Sequence, residues 1–341
     1  MLKERYSKRE SMHLKRIFMI FFMVLCANFY IYGVSWIQIA NIDFGNDENL
    51  MRSNRKCVIG ARGAGFFSEF FMVINWLVYA KKYNLSPVVY WDQKSLYYQP
   101  HGYKGKSNAW EYYFKPVSNQ VYEENDPVKR DYAFEWGINS FDPHFVTKNR
   151  RLVKSIIDQY IQLQPWIKEK KDAFYAQYMQ GRKTVGMHVR RTDKHYETAM
   201  VPHESWIKAA KDIAQQFPGC QFLVATDEQK MLNFLKKYLP GRVIYYNAMR
   251  SENSEPIHYN NSNPARAGED VLVEVLLLSE CDFLIHGQSN VAIAVLFFNP
   301  NMPHIWLKAP GSSRSVQNFY ESNAFIFSEE EECFFYYCWV F

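Results

Sequence analysis

From residue 181 to 307, short apolar runs alternate with amphipathic stretches at a spacing that favours a parallel sheet covered on both faces by helices. Thr184–Val189 reads as a strand. Pro202 then opens a helix with Trp206, Ala210, Ile213 and Phe217 on one face, and Pro218-Gly219 stops it. Gln221–Ala225, Arg242–Tyr246, Asp282–His286 and His304–Leu307 are expected as further strands, with helices over 228–238, 269–279 and 290–298. An earlier unit has the same grammar: an apolar run 57–60, the turn Ala61-Arg-Gly-Ala-Gly65, a helix over 66–83 and a strand over 87–91. Gly63 and Gly65 permit a tight turn there and close backbone approach to a ligand. Residues 92–150 lack clean periodicity and read as loops and short helices. Residues 151–180 read as helical, kinked or divided at Pro165. Two such units joined by a helical connector predict an α/β fold of two Rossmann-like domains facing across a cleft.

The strand over 184–189 discharges into Arg190, Arg191, Thr192, Asp193 and Lys194. Open α/β sheets place ligands beyond the carboxyl ends of their strands, so paired guanidinium groups there face whatever is bound. The planar fork of donors on arginine suits phosphate oxygens, which points to a nucleotide diphosphate. No Asp-x-Asp element occurs in the chain, so the usual carboxylate pair for a metal-bound sugar nucleotide is missing. Fixed cations are the other way to stabilise a departing diphosphate. His188 and His286 lack metal-ligand spacing and a third ligand, and read as core or cleft histidines.

His188-Val-Arg-Arg-Thr-Asp-Lys194 resembles the signature of the α1,6-fucosyltransferases, the rhizobial nodulation fucosyltransferases and the wider GDP-fucose superfamily. The likeness continues in Ala225-Thr-Asp-Glu228, in Leu278-Ser-Glu-Cys-Asp-Phe-Leu284 and at Ser289. It is clear over 181–300, weak over 57–92 and absent elsewhere. The resemblance implies the GT-B arrangement, a GDP-fucose donor, a glycan acceptor, inversion to an α-linkage, and no metal or other cofactor. It gives Arg190 the diphosphate, with Arg191 and Asp193 beside it. It makes Glu197 the base that takes the acceptor proton, assisted by Lys194. Asp227, Glu228 and Glu274 fall where the family holds the nucleoside, Glu274 replacing a family aspartate. Ser289 opens a helix whose backbone N–H groups can hold phosphate. From the residues alone, Asp193 and His195 remain alternative bases. Asp227 and Ser289 also fit as simple helix N-caps.

The first forty residues differ from the rest. Residues 1–16 are basic, and 17–40 are uncharged and rich in Ile, Phe, Met and Trp. A bilayer-spanning helix needs about 20 apolar residues, so 17–40 is expected to be a signal-anchor. The expected order is cytosolic tail 1–16, anchor 17–40, stem 41–55, acceptor-side domain 56–180, donor-nucleotide domain 181–325 and an unassigned tail 326–341. That order describes a single-pass type II protein of the Golgi membrane with a lumenal catalytic body. Cys57, Cys220, Cys281, Cys333 and Cys338 would be lumenal, an odd number with no readable pairing. A formal charge of +5 with no long basic stripe gives no ground for nucleic-acid binding. The partners expected are therefore GDP-fucose, a glycan or glycoprotein, the bilayer, and a second copy of the chain as a candidate. A shortened loop after Lys194 and Glu274 leave room for a nucleotide- or glycan-binding pseudoenzyme. A transferase using another nucleotide sugar is the third reading.

Overall fold

Strand β4 (Thr184–Val189) is buried along all six residues, as a strand covered on both faces must be. It lies at the centre of a five-stranded parallel sheet ordered β6-β5-β4-β7-β8, with β5 Gln221–Thr226, β6 Val243–Ile244, β7 Phe283–His286 and β8 His304–Trp306. The chain starts in the middle, steps outward through β5 to β6, then crosses to β7 and β8. The order reverses between β4 and β7, and in such sheets the ligand crevice opens at that switch point. A second, three-stranded parallel sheet is ordered β2-β1-β3, from β1 Lys56–Gly60, β2 Ser86–Tyr90 and β3 Val128–Lys129. The computed structural model describes residues 55–132, 143–196, 199–256 and 262–309, without side chains for 143–145, 195 and 196, all within the unit Asn49–Phe341.

Helix α1 (Phe66–Lys82) is buried on nearly every side. One side serves the small sheet. The other meets helix α7 (Asn290–Phe298), where Phe70 stacks on Phe298 at 5.9 Å and Phe71 meets Phe297 edge-on at 5.5 Å. Helix α2 (Pro143–Tyr160) also packs on α7, so both sheets share one helical layer. The helical stretch expected over 151–180 is divided at Pro165, which sits at the first turn of α3 (Pro165–Phe174) after a break, and its first helix begins earlier than expected, at Pro143. A π-turn at Tyr175–Met179 leads into β4.

Beyond β4 the helices are α4 (His203–Gln216), α5 (Gln229–Tyr238) and α6 (Pro264–Ser279). Helix α6 begins five residues before the expected start. Asn263 accepts from the Arg266 N–H at 3.1 Å and Pro264 takes the first turn, a cap hidden inside a polar stretch. Strand β6 keeps only two residues of its expected five. Among the described residues no helix is long and apolar enough to cross a membrane. The expected anchor 17–40, the stem and the 326–341 tail lie outside them. Cys57, Cys220 and Cys281 are free thiols, each buried.

The two halves are bolted together at α6. The Tyr113 hydroxyl donates to the Ala265 carbonyl at 3.0 Å, directly over Gly268. A Cβ on Gly268 would lie 2.3 Å from that hydroxyl oxygen and 2.6 Å from Cζ. Beside it the fully buried Glu269 pairs with Lys170 of α3 and accepts from the Tyr103 hydroxyl at 3.0 Å. Gly268→Ala therefore drives a methyl group into a buried ring. We expect it to destabilise the fold by about 1–3 kcal/mol, read as a lower urea midpoint, with Gly65→Ala, where an added Cβ meets nothing within 4 Å and φ is −61°, as the control for a glycine substitution without a clash.

Candidate functional site

Three strand ends converge at the switch point. Arg190 follows β4, Asp227 follows β5, and the turn Gly287–Ser289 follows β7. Asp227 is the hub. Its carboxylate accepts from Arg190 Nη1 at 2.6 Å, from the Arg191 backbone N–H at 2.8 Å and from the Thr192 hydroxyl at 2.5 Å. Arg190 Nη2 also donates to Asp193 at 2.5 Å, so two carboxylates fix that guanidinium, which is one-quarter exposed. Arg191 takes another course, donating to the Val201 carbonyl at 3.1 Å with its Nε 3.9 Å from Glu228. The expected N-cap at Asp227 is displaced by one residue. Glu228 is the cap of α5 without a side-chain capping bond, because the Asp227 carboxylate is engaged by the β4 terminus. Glu228 instead accepts from the Ser254 hydroxyl at 2.5 Å.

Lys194 is buried, and its backbone N–H closes a turn onto the Arg191 carbonyl at 3.0 Å. Glu197, the expected base, lies outside the described residues, as does the side chain of the alternative His195. Ser289 caps α7, its hydroxyl accepting from the Val291 N–H at 3.2 Å. The capping role is thus observed, and it leaves a helix N-terminus at the switch point. Among the described residues no acceptor meets the N–H of Gln288 or Ser289.

Glu274 on α6 accepts from Arg250 Nη2 at 3.2 Å, and Arg250 also donates to the Tyr246 and Ala248 carbonyls. Together with Asp270, which accepts from the Met249 N–H at 3.0 Å, they hold the segment 246–251 against α6. Burial pushes the Glu274 carboxyl up to about 8, Arg250 opposes that rise, and Asp270 and Asp227 add to it. Glu274 is therefore electrostatically part of the Asp227 cluster. His188 pairs in register with His286 across β4 and β7. Burial first, then His286, Arg190 and Lys194, hold it down to about 3, so it is a neutral ring whose Nδ1 has no partner among the described residues.

Gly63 and Gly65 stay with the small sheet. Gly63 has φ +86°, a conformation other residues rarely adopt, and Gly65 precedes α1. What shapes this turn is Glu69, which the sequence reading passed over. Its buried carboxyl accepts from the Arg62 N–H at 3.0 Å and the Ala64 N–H at 2.7 Å. The one acid of a largely apolar helix, placed in its first turn, was the available signal. From outside the turn, Arg130 donates to the Ala61 carbonyl at 2.6 Å while gripping Asp92 with both terminal nitrogens. Among the described residues no group of three or more His, Cys, Asp or Glu side chains is arranged to hold a metal ion.

No family model matches the chain, and no curated relative matches it. Solved structures similar to this chain include fucosyltransferases. NodZ α1,6-fucosyltransferase co-crystallised with GDP is similar at 18% identity over 76% of this chain and 97% of its own, with a TM-score of 0.49. The fucosyltransferase NodZ from Bradyrhizobium gives 18% over 73% and 94%, with a TM-score of 0.47. POFUT1 in complex with GDP gives 9% over 75% and 99%, with a TM-score of 0.44. These are likenesses of fold at low identity.

The Glu274 carboxyl has a consequence for stability. An acid whose folded-state pKa lies above its ordinary value, 4.5 here, holds its proton more tightly when folded. Stability is then full below 4.5 and declines as pH climbs through about 8. Urea unfolding at pH 5 and pH 8 should show that decline, and Glu274→Gln, which keeps an acceptor for Arg250, should flatten it.

Proposed function

We propose that the chain is a glycosyltransferase that moves fucose from GDP-fucose to a sugar hydroxyl of a glycan, with inversion and with arginine in place of a metal. The observation that carries this reading is Arg190, held by Asp227 and Asp193 at the switch point of a parallel sheet. Fixed donors aimed at developing charge need no reorganisation when the charge appears. In the proposed step the acceptor oxygen attacks the anomeric carbon as the bond from that carbon to the β-phosphate oxygen breaks. The electron pair leaves with GDP, where Arg190 and the helix N-terminus at Ser289 receive the negative charge. The acceptor proton passes to a base, assigned by family resemblance to Glu197 with Lys194 beside it. Guanine and fucose selectivity also rest on that resemblance, which Asp227, Glu228 and Glu274 extend toward the nucleoside. Acceptor contacts are assigned to the half of the chain over 56–180, while Gly63 and Gly65 in its first turn are assigned to the donor.

The electrostatics explain why directed hydrogen bonds matter here. Arg190, Arg191 and Lys194 stand against Asp193, Asp227 and Glu228, so the formal charges cancel. A diphosphate is then attracted through oriented donors more than through net charge, and Asp193 is the group it displaces from Arg190. The same balance favours a second reading, a nucleotide-binding protein without turnover, in which the carboxylates keep Arg190.

Full-length protein is assayed for GDP release from GDP-fucose over a glycan library, with and without EDTA. We expect turnover that survives the chelator and falls at least about 100-fold in kcat/KM for Arg190→Ala. GDP binding without turnover on any acceptor selects the second reading, turnover only with UDP-sugars selects a different donor, and loss with EDTA removes the metal-free mechanism. We also propose that 17–40 anchors the chain in the Golgi membrane with its body lumenal. The protein should then stay in the pellet on carbonate extraction, and release into the supernatant would count against the anchor.

A further inference from the structure

A second polar chain runs beneath the switch point, and its members come from three separate elements. Arg150 of α2 is buried. Its Nη1 lies 3.3 Å from both the Pro300 and Met302 carbonyl oxygens, and its Nη2 lies 2.6 Å from His304 Nε2. His304 Nδ1 is 2.8 Å from His286 Nε2, and His286 Nδ1 is 3.0 Å from the Gly287 carbonyl oxygen. The two rings lie nearly parallel at 5.0 Å.

The direction of this chain is fixed by its ends. Arginine only donates, and a carbonyl only accepts. His304 therefore accepts at Nε2 and donates from Nδ1, and His286 accepts at Nε2 and donates from Nδ1 to Gly287. One tautomer of each neutral ring satisfies every link, and flipping either breaks two. Burial keeps both rings neutral, holding His286 down to about 4 and His304 well below its ordinary value.

The Gly287 carbonyl is the first group of the turn that leads to Ser289. A trans peptide is planar with its C=O and N–H opposed. Drawing that carbonyl toward the His286 ring turns the Gln288 N–H the other way, and this N–H has no acceptor among the described residues. We infer that Arg150, acting through His304 and His286, is a positioning residue that presents the Gln288 N–H group to the diphosphate. The inference rests on the diphosphate reading of the site given above. It links α2, which packs on α1 and α7, to the orientation of the phosphate-facing turn.

The test uses full-length protein, with GDP as the probe. Wild type, Arg150→Met, His304→Phe and Arg150→Lys are compared by calorimetric titration and by hydrogen exchange at residues 288–291. His304→Phe keeps a ring and removes both links, and Arg150→Lys keeps one donor and guards against loss of fold. We expect GDP affinity to fall about tenfold in the first two variants, exchange at 288–291 to quicken, and Arg150→Lys to recover most of both. Imidazole 15N NMR of the wild type at pH 7 should show the Nδ1–H tautomer for both histidines, a signature that packing alone does not dictate. Unchanged affinity and exchange in Arg150→Met and His304→Phe, or Nε2–H tautomers in the wild type, overturn the relay. Failure of the wild type to bind GDP instead sinks the diphosphate reading, and with it the presentation of the turn.

Discussion

The Asp227 carboxylate is the joint on which the site depends. It takes three donors, all from the three residues that follow β4, and so converts the end of one strand into a fixed attachment on the next. Two arginines placed side by side at a strand end repel each other, and here each guanidinium is drawn to partners of its own. With Asp227 and Asp193 in place, Arg190 is held by both its terminal nitrogens, and Arg191 is directed to the Val201 carbonyl. A guanidinium held this way has already lost the rotamer freedom that binding would otherwise remove. Asp227 is too far along the chain from Arg190 for local structure to join them. It is the parallel register of β4 on β5, pairing Val189 with Thr226, that does so.

The same pattern recurs at lower intensity around the site. Glu69 shapes the glycine turn of the small sheet, Asp92 and Arg130 clamp it from outside, and Glu274 with Asp270 holds the 246–251 segment. In each case a loop beyond a strand is held by a carboxyl group that the packing withdraws wholly or largely from water. Removing such a carboxylate leaves donors unpaired, and a buried unpaired donor destabilises by about 1–3 kcal/mol. The loops facing the switch point are thus fixed by polar bonds, while the apolar layer of Phe70, Phe71, Phe297 and Phe298 joins the halves.

Much of this was legible in the residues. The strands expected over 184–189, 221–225 and 282–286 announced themselves as apolar runs, each within one residue of its observed bounds, and the arginines at the end of the first stand at the switch point. What was not legible depends on contacts between distant residues. Arg150 and His304 are separated by 154 positions, and nothing near either one announces the other. The start of α6 was missed because Asn263-Pro264 sits in a polar stretch that reads as loop, and β6 was overextended because its apolar run outlasts its pairing. The Asp227 cap was misplaced because a carboxylate after a strand fits two roles locally, and only its neighbour strand decides between them.

Cys57, Cys220 and Cys281 are each enclosed by the packing, and burial raises the thiol of Cys57 to about 11 and that of Cys281 well above its ordinary value. Sulfur in that condition carries almost no thiolate at neutral pH, and thiolate is the form that exchanges or oxidises. This part of the body accordingly owes nothing to cross-links through those three sulfurs. For these three buried sulfurs, reducing and oxidising surroundings are therefore nearly equivalent.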